Sequence, residues 1–244
     1  MLSAFLWGLF AAASLLLGAA VVYWRAPGPR ALGLVMGFGA GVLLSAVAYE
    51  LVEEAVETSA GTGGTFTGFG TGALVFYVGD RLISRLGYEQ RKDIDGGAPE
   101  ASPLTIVLGT FLDGVPESAV LGLTLLQTGS IGVAMLVAVL ISNIPEAVAA
   151  TSSLRAARWS TSRVFLLWSA IAVASGAASA VGYALLDGAA PSTVAFILAF
   201  AGGAILTMLS TSMIPEAYEH GGRVVGLVTT LGFAVAFGVS WLEG

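Results

Sequence analysis

Three acidic residues stand in the middle of long apolar stretches, where charged side chains are uncommon. Asp113 and Glu117 are four residues apart in one stretch, and Glu146 lies in the next. A spacing of four places Asp113 and Glu117 on one face of a helix. Glu146 shares a helix face with Asn143, three residues before it, and with Ser142, four before it. If the two faces meet, they present three carboxylates, an amide and a hydroxyl.

These carboxylates have no cationic side chain near them. No Lys or Arg lies near the middle of any apolar stretch. A carboxylate at the centre of a membrane helix costs about 2.5–3.5 kcal/mol on insertion scales. Three of them in a medium of low dielectric constant would repel one another or become protonated. A cation from outside the chain would balance them, and a divalent metal ion does so most economically.

A proline directly precedes each of the two glutamates. Pro116 and Pro145 have no N–H group, so the carbonyls of Leu112 and Ile141 lose their helical partners. Inside a membrane such a carbonyl is tolerated where it lines a cavity or binds an ion. We therefore expect each Pro-Glu pair to bend its helix and to place a free acceptor beside a carboxylate. The alternative is a pair of proline kinks with protonated glutamates hydrogen-bonded in the core.

The composition indicates that lipid surrounds much of the chain. Apolar residues make up 56% of the sequence and charged residues 11%, against about 25% charged in soluble domains. One crossing needs about 20 residues. Apolar stretches lie approximately at 3–24, 31–56, 64–80, 103–127, 130–154, 164–186, 192–217 and 224–242. We therefore expect an all-α integral membrane protein, a single transmembrane domain over residues 1–244 with eight transmembrane helices.

The cations predict how these helices are oriented. All ten Lys and Arg residues fall in alternate connections: Arg25, Arg30, Arg81, Arg85, Arg91, Lys92, Arg155, Arg158, Arg163 and Arg223. The positive-inside rule makes those connections cytoplasmic, which places both termini outside the cytoplasm of a cell membrane. The longest connection, about 81–102, is rich in Gly, Pro and Ala and predicts a mobile cytoplasmic loop. The net charge of −6 argues against a nucleic-acid partner.

Two other stretches invite different interpretations. The first apolar stretch is long and has no preceding cation, so we interpret it as a retained span and not as a signal peptide. The glycine-rich stretch 61–72 invites comparison with a nucleotide-binding loop. No strand precedes it and no Lys-Ser/Thr pair follows it. We interpret it as a flexible external loop that leads into the third span.

Two pairs of segments resemble each other within the chain. Residues 113–117 and 142–146 both end in Pro-Glu, and residues 41–57 resemble residues 203–219. The second pair aligns Gly41 with Gly203, Leu44 with Leu206, Glu54 with Glu216 and Glu57 with Glu219. The members of each pair cross the membrane in opposite directions, which is typical of inverted repeats. Chance similarity between apolar segments is the alternative for the second pair.

These features resemble the ZIP (ZRT/IRT-like) family of divalent metal transporters, in a divergent bacterial-type form. The family motifs are His-Asn-x-Pro-Glu-Gly in span four and Gln-Asn/Asp-x-Pro-Glu-Gly in span five. The matching segments are Asp-Gly-Val-Pro-Glu-Ser at 113–118 and Ser-Asn-Ile-Pro-Glu-Ala at 142–147. The segment 213–221, Met-Ile-Pro-Glu-Ala-Tyr-Glu-His-Gly, also resembles a family pattern. The resemblance implies inverted three-helix repeats around a central helix pair.

The resemblance also implies metal ligands, position by position. Glu117, Asn143 and Glu146 match family ligands, Asp113 stands in place of a histidine, and Ser142 stands where glutamine is usual. These changes favour one metal ion over two. The implied substrate is Zn, Mn or Fe(II). An all-oxygen site suits Mn or Fe(II) better than a zinc-optimised site does, although zinc also binds carboxylates.

The resemblance therefore implies inward transport of a divalent metal ion and no enzymatic activity. One alternative is a metal-binding sensor or a ZIP homologue that does not transport. A less favoured alternative is an intramembrane enzyme that uses Asp113 and Glu117 as an acid–base pair. The chain has no cysteine and no recognisable hydrolase motif.

Three further groups of residues allow two interpretations each. The acidic end of span two is either an anionic funnel or a solvated helix end, and the polar end of span seven is either an exit site or structural. The small residues 175–180 allow close packing within the fold or in a homodimer. The acidic end comprises Glu50, Glu53, Glu54 and Glu57, and the polar end comprises Glu216, Glu219 and His220.

Overall fold

A computed structural model describes residues 1–25, 27–59, 63–83, 85, 103–128 and 132–243, without the side chains of 103–108, 111–113, 115, 116, 127, 128, 134, 185 and 243. The part so described is helical and contains no strand. Helices α1 to α11 are Leu2–Ala12, Ser14–Arg25, Pro29–Ala46, Glu54–Thr58, Gly64–Ile83, Pro103–Thr128, Val133–Ala156, Thr161–Leu186, Pro191–Met208, Ile214–Gly221 and Val224–Glu243. Two π-helical segments, Val47–Glu53 and Leu209–Met213, join α3 to α4 and α9 to α10.

Six helical stretches of the described residues are long and apolar enough to cross a membrane. They are Leu2–Arg25, Pro29–Thr58, Met135–Ala156, Thr161–Ala184, Pro191–Gly221 and Val224–Leu242. The prediction of a multi-pass α-helical membrane protein is confirmed. Helices α5 and α6 have 20 and 26 residues, so each is at least about 30 Å long. Among the residues of α6 whose side chains are described, Glu117–Leu126 is a shorter apolar stretch. The count of eight spans stays a prediction.

Prolines and glycines set several of the helix ends. Pro29 and Pro191 occupy the first turns of α3 and α9, where the missing N–H group would have no helical partner anyway. Gly222 ends α10 with a φ of 67°, a left-handed conformation that glycine adopts without strain. Ser160 caps α8 by accepting a hydrogen bond from the Arg163 amide at 3.4 Å. These residues fix where the chain reverses direction.

Glycines bring two pairs of helix backbones into direct contact. Helix α5 packs along α9, and α3 packs along α11. A Cβ added at Gly72 of α5 would meet the Phe200 carbonyl, and one added at Gly232 of α11 would meet the Phe38 carbonyl. Small residues at helix interfaces allow this approach in membranes. The prediction of a loop at 61–72 is therefore wrong from Gly64 onward, because these glycines form a helix interface.

A second set of helices packs in the same way. Helix α8 packs along both α1 and α6, and α2 packs along α7. A Cβ at Gly8 would lie 2.6 Å from the Ser179 Cβ, and one at Gly122 would meet the Ser179 carbonyl. Gly18 of α2 is equally close to the Ile144 carbonyl of α7. The small residues 175–180 of α8 thus pack within the fold, and a homodimer stays a prediction.

The interruptions of regular helix lie away from the two Pro-Glu pairs. Helix α7 continues through Pro145, and α6 continues through residue 116. The first predicted span is divided by a turn at Ala13. The second and seventh contain the π-helical segments, a geometry that is frequent at functional sites. Of the predicted loop at 81–102, residues 84 and 86–102 lie outside the described residues.

We expect Gly72→Leu to destabilise the protein more than Gly70→Leu does. A side chain at position 72 would collide with the α9 backbone, whereas a Cβ at Gly70 would have nothing within 4 Å. Overpacking of this kind costs typically about 1–3 kcal/mol. Thermal unfolding in detergent measures the difference, and Gly232→Leu against Gly226→Leu repeats the comparison on α11. Equal melting temperatures within both pairs would contradict the glycine contacts.

Candidate functional site

A narrow pocket lies among α1, α2, α6, α7 and α8. Its cavity volume is about 10 Å³, which is about the space of one water-sized sphere. Among the lining residues that the structure describes, Glu117 is the only ionisable one, and it is 2% exposed. The lining residues are Ala12, Leu15, Thr110, Gly114, Glu117, Ser118, Val139, Asn143, Ile171 and Ser175.

Helical spacing places the polar groups on the pocket wall. Thr110, Gly114 and Glu117 follow one another at intervals of four and three residues along α6, so they share one face. Val139 and Asn143 are four residues apart on α7 and also line the cavity. The carboxylate of Glu117 and the amide of Asn143 therefore border the same cavity. The structure brings these two predicted ligands together.

The turn in the first span orients Asn143. The Asn143 Nδ2 donates a hydrogen bond to the Ala11 carbonyl at 3.3 Å, and the Ser14 Oγ donates to the same oxygen at 2.5 Å. Ala11 and Ser14 flank the turn at Ala13. Because the amide nitrogen is held by α1, the Oδ1 of Asn143 remains available as an acceptor or as a ligand. Asn143 itself is 5% exposed and lines the pocket.

Glu146 is buried on α7, outside the lining of the pocket. It is 8% exposed and follows Asn143 by three residues, so it lies one turn further along the same face. The side chain of Asp113 lies outside the described residues. Among the residues whose side chains are described, no group of three or more His, Asp or Glu residues is placed to hold a metal ion. The predicted three-carboxylate cluster stays a prediction.

Ser142 lies on the side of α7 that faces α3. It is fully buried, and its Oγ donates to the Val139 carbonyl at 3.2 Å. A Cβ added at Gly39 of α3 would lie 3.4 Å from the Ser142 Cα and 3.2 Å from the Met213 Cε. Ser142 is not among the lining residues of the pocket. The Ser142 oxygen can still accept a hydrogen bond or bind a cation, but its hydrogen is already donated to the Val139 carbonyl.

Two residues of α7 that follow the site along the helix, Thr151 and Arg155, bond to neighbouring helices. The buried Trp168 of α8 donates from Nε1 to the Thr151 Oγ1 at 2.9 Å. The Arg155 Nη1 donates to the Val22 carbonyl at 3.2 Å, near the end of α2. The guanidinium carbon of Arg155 also lies 5.5 Å from the centre of the Tyr23 ring, within range of a cation–π interaction. Helix α7 is thereby tied to α2 and α8.

Two further polar groups lie at the predicted membrane surfaces, one around Glu50 and the other around Glu216 and His220. A Cβ added at Gly132, just before α7, would lie 2.5 Å from the Glu50 Oε2, and the Ser240 Oγ lies 3.5 Å from the Glu50 Oε1. A carboxylate at a helix N-terminus is favoured by the helix dipole. The His220 Nδ1 lies 3.0 Å from the Glu216 carbonyl of its own helix, and the role of this histidine stays open between an exit site and a structural one.

Sequence reasoning missed the contribution of α1 and α8 to the pocket. Ser175 lies in α8, where its small size predicted close packing but no site. Its place follows from the packing of α8 on α6, where a Cβ at Gly182 would lie 2.9 Å from the Ala119 carbonyl. The sequence could have indicated Thr110 and Ser118, because both are polar residues within the apolar helix that carries Glu117. The turn at Ala13 could not be predicted from the sequence, since no Pro or Gly adjoins it.

Comparison with known proteins gives one informative relative. No protein-family model matches the chain. The chain is similar to a protein of Arabidopsis thaliana described as "Putative zinc transporter", with 28% identity over 207 residues and 84% of this chain covered. The match extends over 33% of that relative. The chain therefore spans about a third of the length of the curated relative that it matches.

Proposed function

We propose that this protein is a ZIP-like carrier that moves a divalent metal ion across the membrane toward the cytoplasm. The proposal rests on one observation above all: Glu117, only 2% exposed, lines an ion-sized pocket between the helices of a multi-pass membrane protein. An ionisable residue at such a place points to an ion or proton pathway. The similarity to a protein described as a zinc transporter supports a metal ion as the substrate.

The proposed charged ligands are Asp113, Glu117 and Glu146. Asp113 precedes Glu117 by one helical turn, and Glu146 follows Asn143 by nearly one. The two helices thus carry their carboxylates on faces that also hold residues of the pocket. Asn143 contributes the Oδ1 that its bond to α1 leaves available. Ser142 is the weakest member of the set, because its hydroxyl already donates to the Val139 carbonyl.

The proposed architecture has eight spans, with inverted three-helix repeats around α6 and α7. The glycine contacts support it. A Cβ at Gly41 of α3 would meet the Thr229 carbonyl of α11, and a Cβ at Gly203 of α9 would meet the Phe69 carbonyl of α5. Gly41 and Gly203 are the residues that the internal alignment pairs. The π-helical segments begin at Val47 and Leu209, which are separated by the same 162 residues as the two glycines.

Transport by this carrier alternates the exposure of the site between the two sides of the membrane. Helix α7 is bonded to α1, α2 and α8 through side chains. It meets α3 through the small residue Gly39, at van der Waals distance from the Ser142 Cα. A contact of small residues allows one set of helices to slide on the other. The central pair α6 and α7 then moves relative to the flanking repeats.

We expect Glu117→Gln and Glu146→Gln each to reduce divalent metal uptake to less than about a tenth of the wild-type rate. Loss of a charged ligand removes far more binding free energy than loss of a neutral one. The measurement is uptake of a panel of divalent metals by purified protein in proteoliposomes. Asp187→Asn, which alters an exposed carboxylate at the end of α8, is the matched control and should leave uptake unchanged.

The outcomes of this experiment separate the competing functions. Metal binding controlled by the two glutamates, without flux in the wild type, would favour a sensor or a homologue that does not transport. If the purified protein neither binds nor transports any metal, the proposed metal site is ruled out. Cleavage of a lipid or a peptide by the purified protein would then favour an intramembrane enzyme.

We expect Asp113→His to shift selectivity toward zinc. Zinc favours imidazole nitrogen, whereas manganese favours carboxylate and other oxygen ligands. The ratio of zinc to manganese uptake should rise severalfold, and Asp113→Asn provides the control for loss of charge alone. An unchanged ratio in Asp113→His would argue that this residue does not bind the transported ion.

A further inference from the structure

Four exposed arginines lie where α2 ends and where α7 turns into α8. The segments that build this place, residues 14–49 and 147–186, contain five arginines and no Asp, Glu or Lys. The four arginines, called the basic cluster below, are Arg25, Arg155, Arg158 and Arg163. The basic cluster includes none of the proposed metal ligands, so its charge needs a separate explanation.

The end of α2 holds Arg155 beside Arg25. The Arg155 Nη1 donates to the Val22 carbonyl at 3.2 Å, and the guanidinium carbon lies 5.5 Å from the centre of the Tyr23 ring. Arg25 follows Tyr23 by two residues. Because Arg155 is exposed, the guanidinium that these contacts orient can also donate two parallel hydrogen bonds to a phosphate group.

Aromatic packing brings the other two arginines to the same place. The ring centres of Tyr23 and Phe165 are 6.0 Å apart, and Phe165 follows Arg163 by two residues. Trp159, which directly follows Arg158, packs against the same apolar cluster as Tyr23 and Phe165. The basic cluster is therefore assembled by tertiary packing of three helices, and not by one run of cations in the sequence.

The backbone at Arg158 has a conformation that usually belongs to glycine. Its φ is 60°. The Trp159 amide donates to the Leu154 carbonyl and the Arg158 amide to the Arg155 carbonyl, each at 3.0 Å. This is the Schellman motif, which ends a helix with a left-handed residue that is usually glycine. Because a residue with a Cβ adopts this conformation at a cost in free energy, the position points to a use for the arginine side chain.

Membrane orientation alone does not explain an arginine at position 158. The positive-inside rule requires only a cation somewhere in the connection. Ala157, the preceding residue, has a φ of −74°, so a cation there would meet the rule without a left-handed backbone. The strained position therefore favours a requirement for where the guanidinium lies, which a bound anion would impose.

An exposed tryptophan indicates the depth of the basic cluster in the membrane. Trp24 directly precedes Arg25 and is 92% exposed. Tryptophan is enriched where the hydrocarbon core meets the lipid headgroups. Arg155 bonds to the Val22 carbonyl in the same turn of α2, so its guanidinium lies near the same depth. Lipid phosphates occupy this level, and basic groups between the ends of membrane helices bind anionic headgroups.

We propose that the basic cluster binds the phosphate headgroup of an anionic phospholipid, which holds the ends of α2, α7 and α8 together. Arg155 and Arg158 donate to the phosphate, while Arg25 and Arg163 add positive charge from the neighbouring helices. The acyl chains lie beside the exposed ring of Trp24. This inference does not depend on the proposed transport, because it uses none of the metal ligands.

The test is thermal unfolding of the purified protein in neutral detergent micelles that contain phosphatidylglycerol or phosphatidylcholine at equal mole fraction. A ligand that binds only the folded state raises the melting temperature. Phosphatidylglycerol should raise the wild-type melting temperature by several degrees more than phosphatidylcholine does. Arg163→Gln should reduce this difference by half or more. Arg223→Gln is the matched control, because Arg223 is exposed just before α11, outside the basic cluster, and it should keep the wild-type difference.

The variant Arg158→Gly separates lipid binding from intrinsic stability. Without phosphatidylglycerol it should melt a few degrees above the wild type, because glycine adopts the left-handed conformation without strain. With phosphatidylglycerol its shift should be half that of the wild type or less. An arginine with a purely structural role would not change these two quantities in opposite directions.

Native mass spectrometry provides a measurement of binding that does not depend on melting. The wild type released from mixed micelles should retain phosphatidylglycerol, and the double variant Arg158→Gly/Arg163→Gln should lose it. Equal melting shifts from the two lipids, or an equal loss of the shift in Arg223→Gln, would overturn the site, because surface charge in general would then explain the effect. The same shift with soluble glycerol phosphate would overturn the assignment of a lipid as the occupant.

Discussion

The close approach of helix backbones is the constraint on which the rest of this structure depends. In a bilayer, helices gain little by burying apolar side chains from one another, because lipid is equally apolar. Association then relies on dispersion contacts, which are individually weak and require close packing. Gly72 against Phe200 and Gly232 against Phe38 provide such packing for two helix pairs. The rest of the fold is arranged around these contacts.

The pocket follows from the same principle at a place where packing is incomplete. Helices α6 and α8 touch at Gly122 and Ser179, but at the level of Gly114 and Ser175 the small side chains do not meet. The resulting space is bordered by Glu117, and a buried carboxylate is tolerated only with compensating partners. Small residues therefore have two effects in this protein. They close the helix interfaces in most places, and they leave a cavity where Gly114 of α6 lies near Ser175 of α8.

Side-chain hydrogen bonds between helices fix the position of α7 within this packing. The amide nitrogen of Asn143 donates to the Ala11 carbonyl, while Arg155 and Trp168 tie α7 to α2 and α8. At Gly39 of α3, a Cβ would lie 3.4 Å from the Ser142 Cα of α7, so small residues meet there. A functional site is most precise when its supporting contacts are rigid. The bonds of Asn143, Arg155 and Trp168 thus hold α7, and with it the pocket residues, against α1, α2 and α8.

The sequence by itself determined that lipid surrounds the protein, that the fold is α-helical and which acidic residues lie within the apolar stretches. Apolar composition and segment length predicted an α-helical multi-pass protein, because unpaired backbone groups exclude other structures from lipid. Helical spacing placed Ser142 and Asn143 beside Glu146, yet the structure turns Ser142 toward α3 and Asn143 toward the pocket. A helix has several faces, and periodicity does not say which neighbour each face meets. The glycine-rich stretch 61–72 was misread for a related reason: glycine favours both loops and close helix contacts, and only the presence of α9 decides between them. Ser175 became part of the site solely through the crossing of α8 over α6, a long-range contact that no local pattern encodes. Residue chemistry was thus written in the sequence, whereas the partners of each residue were decided by how the helices pack.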